Sequence, residues 1–392
     1  LVDGDTVAGV EIPSDSIVRK LKGPKGTDVI VGVQRQSVND LLYFTITRDN
    51  IPLYSVDVSY MINQDIGYIR INKFSRTTFD EFTQHTAKLL GQGMQKMVLD
   101  LRGNGGGLLT TAAMVADQFL DDGELIVYTE GNARRREDIP ASKGGLCQGI
   151  ETVLLIDETS ASASEILAGA IQDNDRGLVI GRRSFGKGLV QEQKQLADGS
   201  AIRLTIARYY TPTGRSIQKP YTNGAEDYYN ELSERYSHGE YIEEDSILFN
   251  DSLKFTTPGG RTVYGGGGIM PDIFVPLDTT GVSDYLINVR NRGLVYRFAL
   301  EYTDGNREQL SNFNSLDELL IHLDKKGVLN KFVQFAAKNG VERNNADIEI
   351  SEEILKTQIN AYIARNIADN EGFYPVIEKI DNTLQVAIKE LQ

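Results

Sequence analysis

Two short stretches hold the residues that could carry out covalent chemistry: Ser160-Ala161-Ser162-Ala163-Ser164-Glu165 and Ser184-Phe185-Gly186-Lys187-Gly188. The first follows the apolar run Val153 to Ile156 and leads into Ile166-Leu167-Ala168-Gly169-Ala170-Ile171. That pattern predicts a buried strand, a tight polar turn and a buried helix. A hydroxyl on such a turn sits over a helix N-terminus, where backbone N–H groups and the dipole favour developing negative charge. The position suits a nucleophile, and it suits a helix cap as well, because Ser162 to Glu165 spells the capping box S-x-x-E. The second stretch favours chemistry. A lysine held between Gly186 and Gly188 can turn inward, since glycine lets the backbone pack closely or take positive φ. An amine withdrawn from water favours its neutral form. A neutral amine beside Ser162 is a general base, which makes a serine–lysine pair. Gln191 lies four residues beyond Lys187 and shares its face in helix or strand, so its amide can hold the amine.

A third stretch, Asp100-Leu101-Arg102-Gly103-Asn104-Gly105-Gly106-Gly107-Leu108, follows a predicted buried strand and precedes a helix expected to run through Phe119. Such a loop can cradle an anion on backbone N–H groups. It is not a dinucleotide fingerprint, because Leu108 stands where the last glycine would be. Gly181 to Lys187 fits the start of a phosphate-binding loop, but Gly188 replaces the metal-binding hydroxyl and Leu189 to Gln193 alternates as a strand does. The chain has three histidines, His85, His238 and His322, none near Ser162 in sequence, and all read as surface or core residues.

The stretches SASASEILAGAIQD and VIGRRSFGKGLVQ resemble the C-terminal processing (tail-specific) serine peptidases, and the likeness extends from roughly Asp57 to Pro276. In that family the middle serine is the nucleophile, the lysine is the base and a glutamine one turn later supports it. The resemblance assigns these roles to Ser162, Lys187 and Gln191. The glycine loop resembles the family's D-L-R-x-N-x-G-G-L element, which implies an oxyanion hole made by the N–H groups of Gly107 and Ala163. Gly265-Gly266-Gly267-Gly268-Ile269-Met270-Pro271-Asp272 resembles its G-G-I-x-P-D element. The family implies an α/β fold with a crotonase/ClpP-like ββα core, no metal or cofactor, protein or peptide substrates with accessible C-termini, and a place in the bacterial periplasm or cell envelope. Homo-oligomers are possible.

The rest of the chain must position these groups. At 392 residues it has room for two or three domains. A formal charge of −14 argues against nucleic acid as a partner. Cys147 is the one cysteine, so no intrachain disulfide can form, and no run approaches the length of a membrane span. Three regions are expected: residues 1–50, 51–280 and 281–392. The first reads as a helix, Ile17 to Lys22, followed by strands Asp28 to Gln36 and Leu42 to Arg48, and it resembles the second half of a PDZ domain. Ile17, Val18 and Leu21 are its candidate peptide-groove residues. The opening without methionine reads as part of a longer precursor, any export signal lying outside it. The alternative function is a PDZ-type peptide-binding scaffold with a gated or inactive core. Arg134, Arg135 and Arg136 read as a solvated polar turn. Residues 222–257 read as an acidic, solvated surface insertion of two short helical turns. Beyond Asp278 the pattern is helical, with amphipathic helices at Leu355 to Ile367 and Val376 to Leu391.

Overall fold

The computed structural model describes residues 1–392 except 36–37, 222–223 and 248–249. The expected strand end at Gln36 and parts of the acidic insertion therefore lie outside the described residues. The chain folds as two units, one of Leu1–Leu53 with Gly281–Ile377 and one of Tyr54–Thr280 with Glu378–Gln392. The expected boundaries placed residues 378–392 with the preceding helices, and the structure groups them with the central region instead.

The first unit opens with helix α1 (Ser14–Leu21), which begins earlier than expected, directly after Pro13. Strands β1 (Asp28–Val33) and β2 (Leu42–Thr47) pair antiparallel, Asp28 opposite Thr47 and Val33 opposite Leu42. Helix α1 buries none of its residues: Ile17 is half-buried, and Val18 and Leu21 are exposed.

The second unit begins with β3 (Val56–Met61), β4 (Ile66–Ile71), α2 (Thr78–Gly91), β5 (Lys96–Asp100) and α3 (Leu109–Ala116). The hairpin β6 (Leu125–Gly131) and β7 (Arg134–Pro140) follows, then β8 (Glu151–Ile156), α4 (Ala163–Asp173), β9 (Leu178–Gly181), β10 (Leu189–Gln195) and β11 (Ala201–Tyr210). Helix α5 (Ala225–Ser237), short strands β12 (Lys254–Thr256) and β13 (Thr262–Tyr264), and β14 (Ile273–Phe274) complete the central run. Six strands form one sheet in the order β14-β9-β8-β5-β4-β3. All neighbours are parallel except β3 and β4, which pair antiparallel. Parallel strands covered on both faces read as unbroken apolar runs. Met97 to Leu99 and Val153 to Ile156 are such runs and are fully buried. A second sheet, antiparallel, runs β10-β11-β6-β7. Arg134, Arg135 and Arg136 belong to its edge strand β7 and not to a turn, because β6 and β7 close through the tight register Gly131 to Arg134.

Six helices continue the first unit: α6 (Asp284–Asn291), α7 (Leu294–Leu310), α8 (Leu316–Lys325), α9 (Val328–Lys338), α10 (Asn345–Ile350) and α11 (Glu352–Ile377). They share a core that includes Phe298, Leu323, Phe332 and Ile359. The expected helix from Val376 to Leu391 is broken. Asp381 caps a new helix, α12 (Asn382–Glu390), by accepting from the Leu384 N–H at 3.1 Å. A carboxylate at this position satisfies one of the free donors of the first turn. Helix α12 packs against β8 and β9. Among the described residues no helix is long and apolar enough to cross a membrane.

Candidate active site

Strand β8 delivers the chain to the turn that carries Ser162, and α4 leaves it at Ala163. Burial sorts the three serines. Ser160 and Ser164 are fully buried, their hydroxyls donating to the Leu101 carbonyl at 2.9 Å and the Asn104 carbonyl at 2.8 Å. Ser162 alone keeps partial exposure. Its backbone sits at φ 57°, ψ −113°, a conformation that costs an L-residue roughly 1–3 kcal/mol and is characteristic of nucleophile turns between strand and helix. Two buried side chains hold it there. The Ser162 N–H donates to Glu165 Oε2 at 2.7 Å, the return half of the capping box, and the Tyr209 hydroxyl lies 3.0 Å from the Ser162 carbonyl.

The glycine loop after β5 lies against this turn. Asn104 is fully buried, donating from Nδ2 to the Ile71 carbonyl at 2.9 Å and accepting from the Gly106 N–H at 2.9 Å. A Cβ at Gly106 would stand 2.7 Å from Ser162 Cβ. At Gly107, where φ is 147°, a Cβ would stand 2.0 Å from the Phe74 carbonyl oxygen. Glycine is required at both positions by space as well as by conformation. Among the described residues the N–H groups of Gly107 and Ala163 donate to no partner, the condition an oxyanion site needs.

Asp100 and Arg102 brace the loop from below. Fully buried Asp100 accepts from the Tyr68 hydroxyl at 2.7 Å, Arg70 Nη1 at 2.7 Å and Arg102 Nη2 at 2.7 Å. Arg102 Nη1 reaches on to Asp381 at 2.8 Å, so the segment before α12 supports the same loop. Burial pushes the Asp100 carboxyl up, but the guanidiniums of Arg102 and Arg70 outweigh it and hold the group at about 2 against an ordinary 3.8. A depressed carboxylate stabilises the fold above its unfolded value and loses that contribution as pH falls toward the folded one. Acid unfolding should therefore cost roughly 2 kcal/mol through this group between about pH 4 and pH 2. Urea midpoints of the parent chain and of Asp100→Asn, measured across that window, check it: the variant should be less stable at neutral pH and show a flatter acid limb.

The Lys187 loop joins the nucleophile turn through Glu165. This fully buried carboxylate accepts from Ser184 Oγ at 2.5 Å, the Gly186 N–H at 2.7 Å and the Lys187 N–H at 2.9 Å, in addition to the Ser162 N–H. Burial pushes its carboxyl above the usual range despite these donors. Tyr209, equally buried on β11, also hydrogen-bonds the Lys187 carbonyl. Thus the N–H groups of Ser162 and Lys187 share Glu165 Oε2, and their carbonyls share one phenol. At Gly186, φ is 86° and a Cβ would meet the Gly268 nitrogen at 3.1 Å, so the loop turns tightly against residues 267–268.

The acidic insertion keeps Glu226, Asp227, Glu234, Glu243, Glu244 and Asp245 exposed, as a solvated face does, and its other side brackets this loop. Helix α5 buries Tyr228 and Arg235. Arg235 donates to the carbonyls of Ser184 at 3.1 Å and Arg183 at 2.6 Å, and Glu240 pairs with both arginines. Charge is buried there because each ion has a hydrogen-bonded partner, the condition under which a protein interior tolerates it.

Ser162, Lys187, Gln191 and Gly107 all line one cleft of about 560 Å³. Ala163, fully buried, follows Ser162 directly at the start of α4 and does not line the cleft. A register shift between Val190 and Gln191 lets β10 bulge as it leaves the loop. Among the described residues no hydrogen bond joins the Lys187 amine to the Ser162 hydroxyl or to the Gln191 amide. None of the three histidines lines the cleft. The phosphate-loop alternative meets a strand, β10, where it needs a helix. Ile17, Val18 and Leu21 lie in the other unit. Sequence reasoning gave Glu165 a capping role only and did not single out Tyr209. The signal for the first was a carboxylate in the first turn of a largely apolar helix. The second, one aromatic in an alternating strand, gave none.

Residues 65–226 match peptidase family S41, and residues 285–369 match a family of unknown function (DUF8443). A carboxy-terminal-processing protease of Bartonella bacilliformis is 40% identical over 224 residues, covering 55% of this chain and 50% of that protein. The carboxy-terminal processing protease CtpA of Bacillus subtilis is 36% identical over 218 residues, covering 56% of this chain and 46% of that protein. Among solved structures, the photosystem II D1 C-terminal processing protease aligns at 26% identity and a TM-score of 0.42, covering 70% of this chain and 62% of that one. The chain spans about half the length of the curated relatives it matches. With its strand–turn–helix serine, glycine loop and lysine loop gathered around one cleft, residues 65–226 of this chain form a peptidase family S41 domain, similar to those of the C-terminal processing proteases.

Proposed function

We propose that the chain is a serine endopeptidase that cuts protein substrates near their C-termini with a Ser162–Lys187 dyad. Ser162 Oγ attacks the scissile carbonyl while the Lys187 amine takes its proton. The tetrahedral oxyanion rests on the N–H groups of Gly107 and Ala163, each donor contributing roughly 3 kcal/mol. Lys187 then passes the proton to the leaving amine, and water, activated by the same amine, releases the acyl group. Gln191, which lines the same cleft, orients Lys187 once substrate closes the site. The observation that carries this reading is the double tie between Ser162 and Lys187 through Glu165 and Tyr209. Such backbone cross-links fix the separation of two side chains that must exchange a proton.

The second reading, a peptide-binding scaffold with a gated core, draws on the absence of a hydrogen bond between amine and hydroxyl. A bound peptide that expels water and closes the cleft would bring the two together, so this arrangement also suits a resting enzyme. We place the activity in the bacterial cell envelope, a reading that the bacterial origin of the relatives supports. A fluorophosphonate probe tests the proposal. Mass spectrometry should find one adduct, on Ser162, and Ser162→Ala should take up no label and cleave no peptide. A parent chain that neither labels nor cleaves would sink the peptidase reading.

A further inference from the structure

Beside the reaction cleft lies a second chamber of about 890 Å³, within the same unit. It shares Gly105, Lys187, Leu189, Gln191 and Arg203 with the cleft, so the two adjoin. Ser162, Gly106 and Gly107 do not line it. The chamber therefore opens on the lysine side of the serine, the side from which the protonated amine departs.

Its wall is aromatic and comes mainly from the inserted segment: Phe185, Tyr221, Tyr228, Tyr229 and Leu232. Tyr228 is the hub. Phe185 meets it edge-on at 5.6 Å, Tyr229 edge-on at 5.4 Å and Tyr221 tilted at 5.0 Å. Such offset and edge-to-face contacts are the favoured geometry for aromatic groups. The wall is braced from behind, where Lys219 Nζ stands 3.9 Å from the Phe185 ring centre and 4.4 Å from that of Tyr228 while pairing with Glu231 at 2.6 Å. Tyr221 and Tyr229 nevertheless leave 55% and 66% of their surface open. No carboxylate lines the chamber among the described residues, although the segment is acidic; its basic side chains there are Lys187 and Arg203. Tyr228, Tyr229 and Leu232 lie beyond the residues matched to the peptidase family.

Resting on the peptidase reading, we infer that this chamber is a specificity subsite for an aromatic side chain of the substrate on the C-terminal side of the scissile bond. The braced rings supply a preformed apolar surface, the volume admits a group as large as an indole, and Arg203 can stack on it. The Arg203 guanidinium repels a basic side chain.

The chain has no tryptophan, so a single tryptophan in a peptide reports its own surroundings. Peptides differing only in the residue after a mapped scissile bond (Trp, Ala, Asp or Lys) should show kcat/KM for Trp about tenfold or more above Ala, with Lys lowest. Tyr229→Ala should remove most of the Trp advantage. Independently of turnover, the full chain carrying Ser162→Ala should bind the Trp peptide about tenfold more tightly than its Ala counterpart and shift its emission to the blue. Tyr229→Ala added to that chain should abolish both effects. Cleavage or binding indifferent to Trp, or a Trp preference untouched by Tyr229→Ala, overturns the subsite, and so does a preference for Asp lost in Arg203→Ala. Selective binding without probe labelling or turnover would leave the subsite standing and the peptidase reading fallen; turnover without selectivity would do the reverse.

Discussion

Lys187→Ala and Lys187→Arg should each abolish peptide hydrolysis in a chain that stays folded. The alanine variant removes the amine. The arginine variant keeps a long basic side chain but offers a guanidinium that does not give up its proton in a protein, so it cannot accept one from Ser162. Groups that act as a unit with an activated serine fail together, so the loss in kcat should be four orders of magnitude or more, on the order seen when such a unit is broken. The fold should barely notice. The Lys187 side chain is half-buried and makes no hydrogen bond among the described residues, while its backbone N–H and carbonyl carry the ties to Glu165 and Tyr209. A stability change within about 1 kcal/mol is expected. Steady-state hydrolysis and thermal melts of both variants check the pair. Near-normal hydrolysis by either would rule out Lys187 as the base.

Glu165→Ala should instead damage stability and activity together. The substitution leaves the N–H groups of Ser162, Gly186 and Lys187 and the Ser184 hydroxyl without their buried acceptor. Each stranded donor costs about 1–3 kcal/mol, so a total of about 4 kcal/mol or more is reasonable against a domain stability of roughly 5–15 kcal/mol. In a unit of this size that lowers the melting midpoint by about 8 °C or more. Activity should vanish well below that temperature, because the two loops lose the tie that sets their separation. Glu165→Gln keeps the shape but turns an NH2 toward donors, and should fall between the two. If Glu165→Ala melted with the parent chain and hydrolysed peptide normally, the carboxylate would not be the link between the loops.

These contrasting outcomes follow from which atoms of each residue are engaged. Lys187 offers a free side chain on a bonded backbone. Glu165 offers a bonded side chain inside a fully buried helix. The insertion extends the same arrangement outward, since Arg235 and Glu240 hold the backbone that holds Lys187.

Local pattern alone determined a good deal here. Val153 to Ile156 and Met97 to Leu99 declare parallel strands, because strands covered on both faces must be apolar throughout. The small apolar residues after Ser162 declare a buried helix, and the glycines of residues 103–107 and 186–188 declare backbone that must turn or pack tightly. The motifs named the family, and with it the candidate serine, lysine and glutamine. Tertiary structure decided which polar atoms find each other. That Ser160 and Ser164 are spent on carbonyls of the glycine loop, that Glu165 serves two loops, that Tyr209 joins their carbonyls and that Arg235 braces one of them are all facts of long-range pairing. So is the placement of Asp381 against Arg102, which groups residues 378–392 with the central unit. Periodicity records how often a side chain is buried, not what it meets there. A buried carboxylate or guanidinium needs a partner, and that partner is chosen by the way distant segments are brought together.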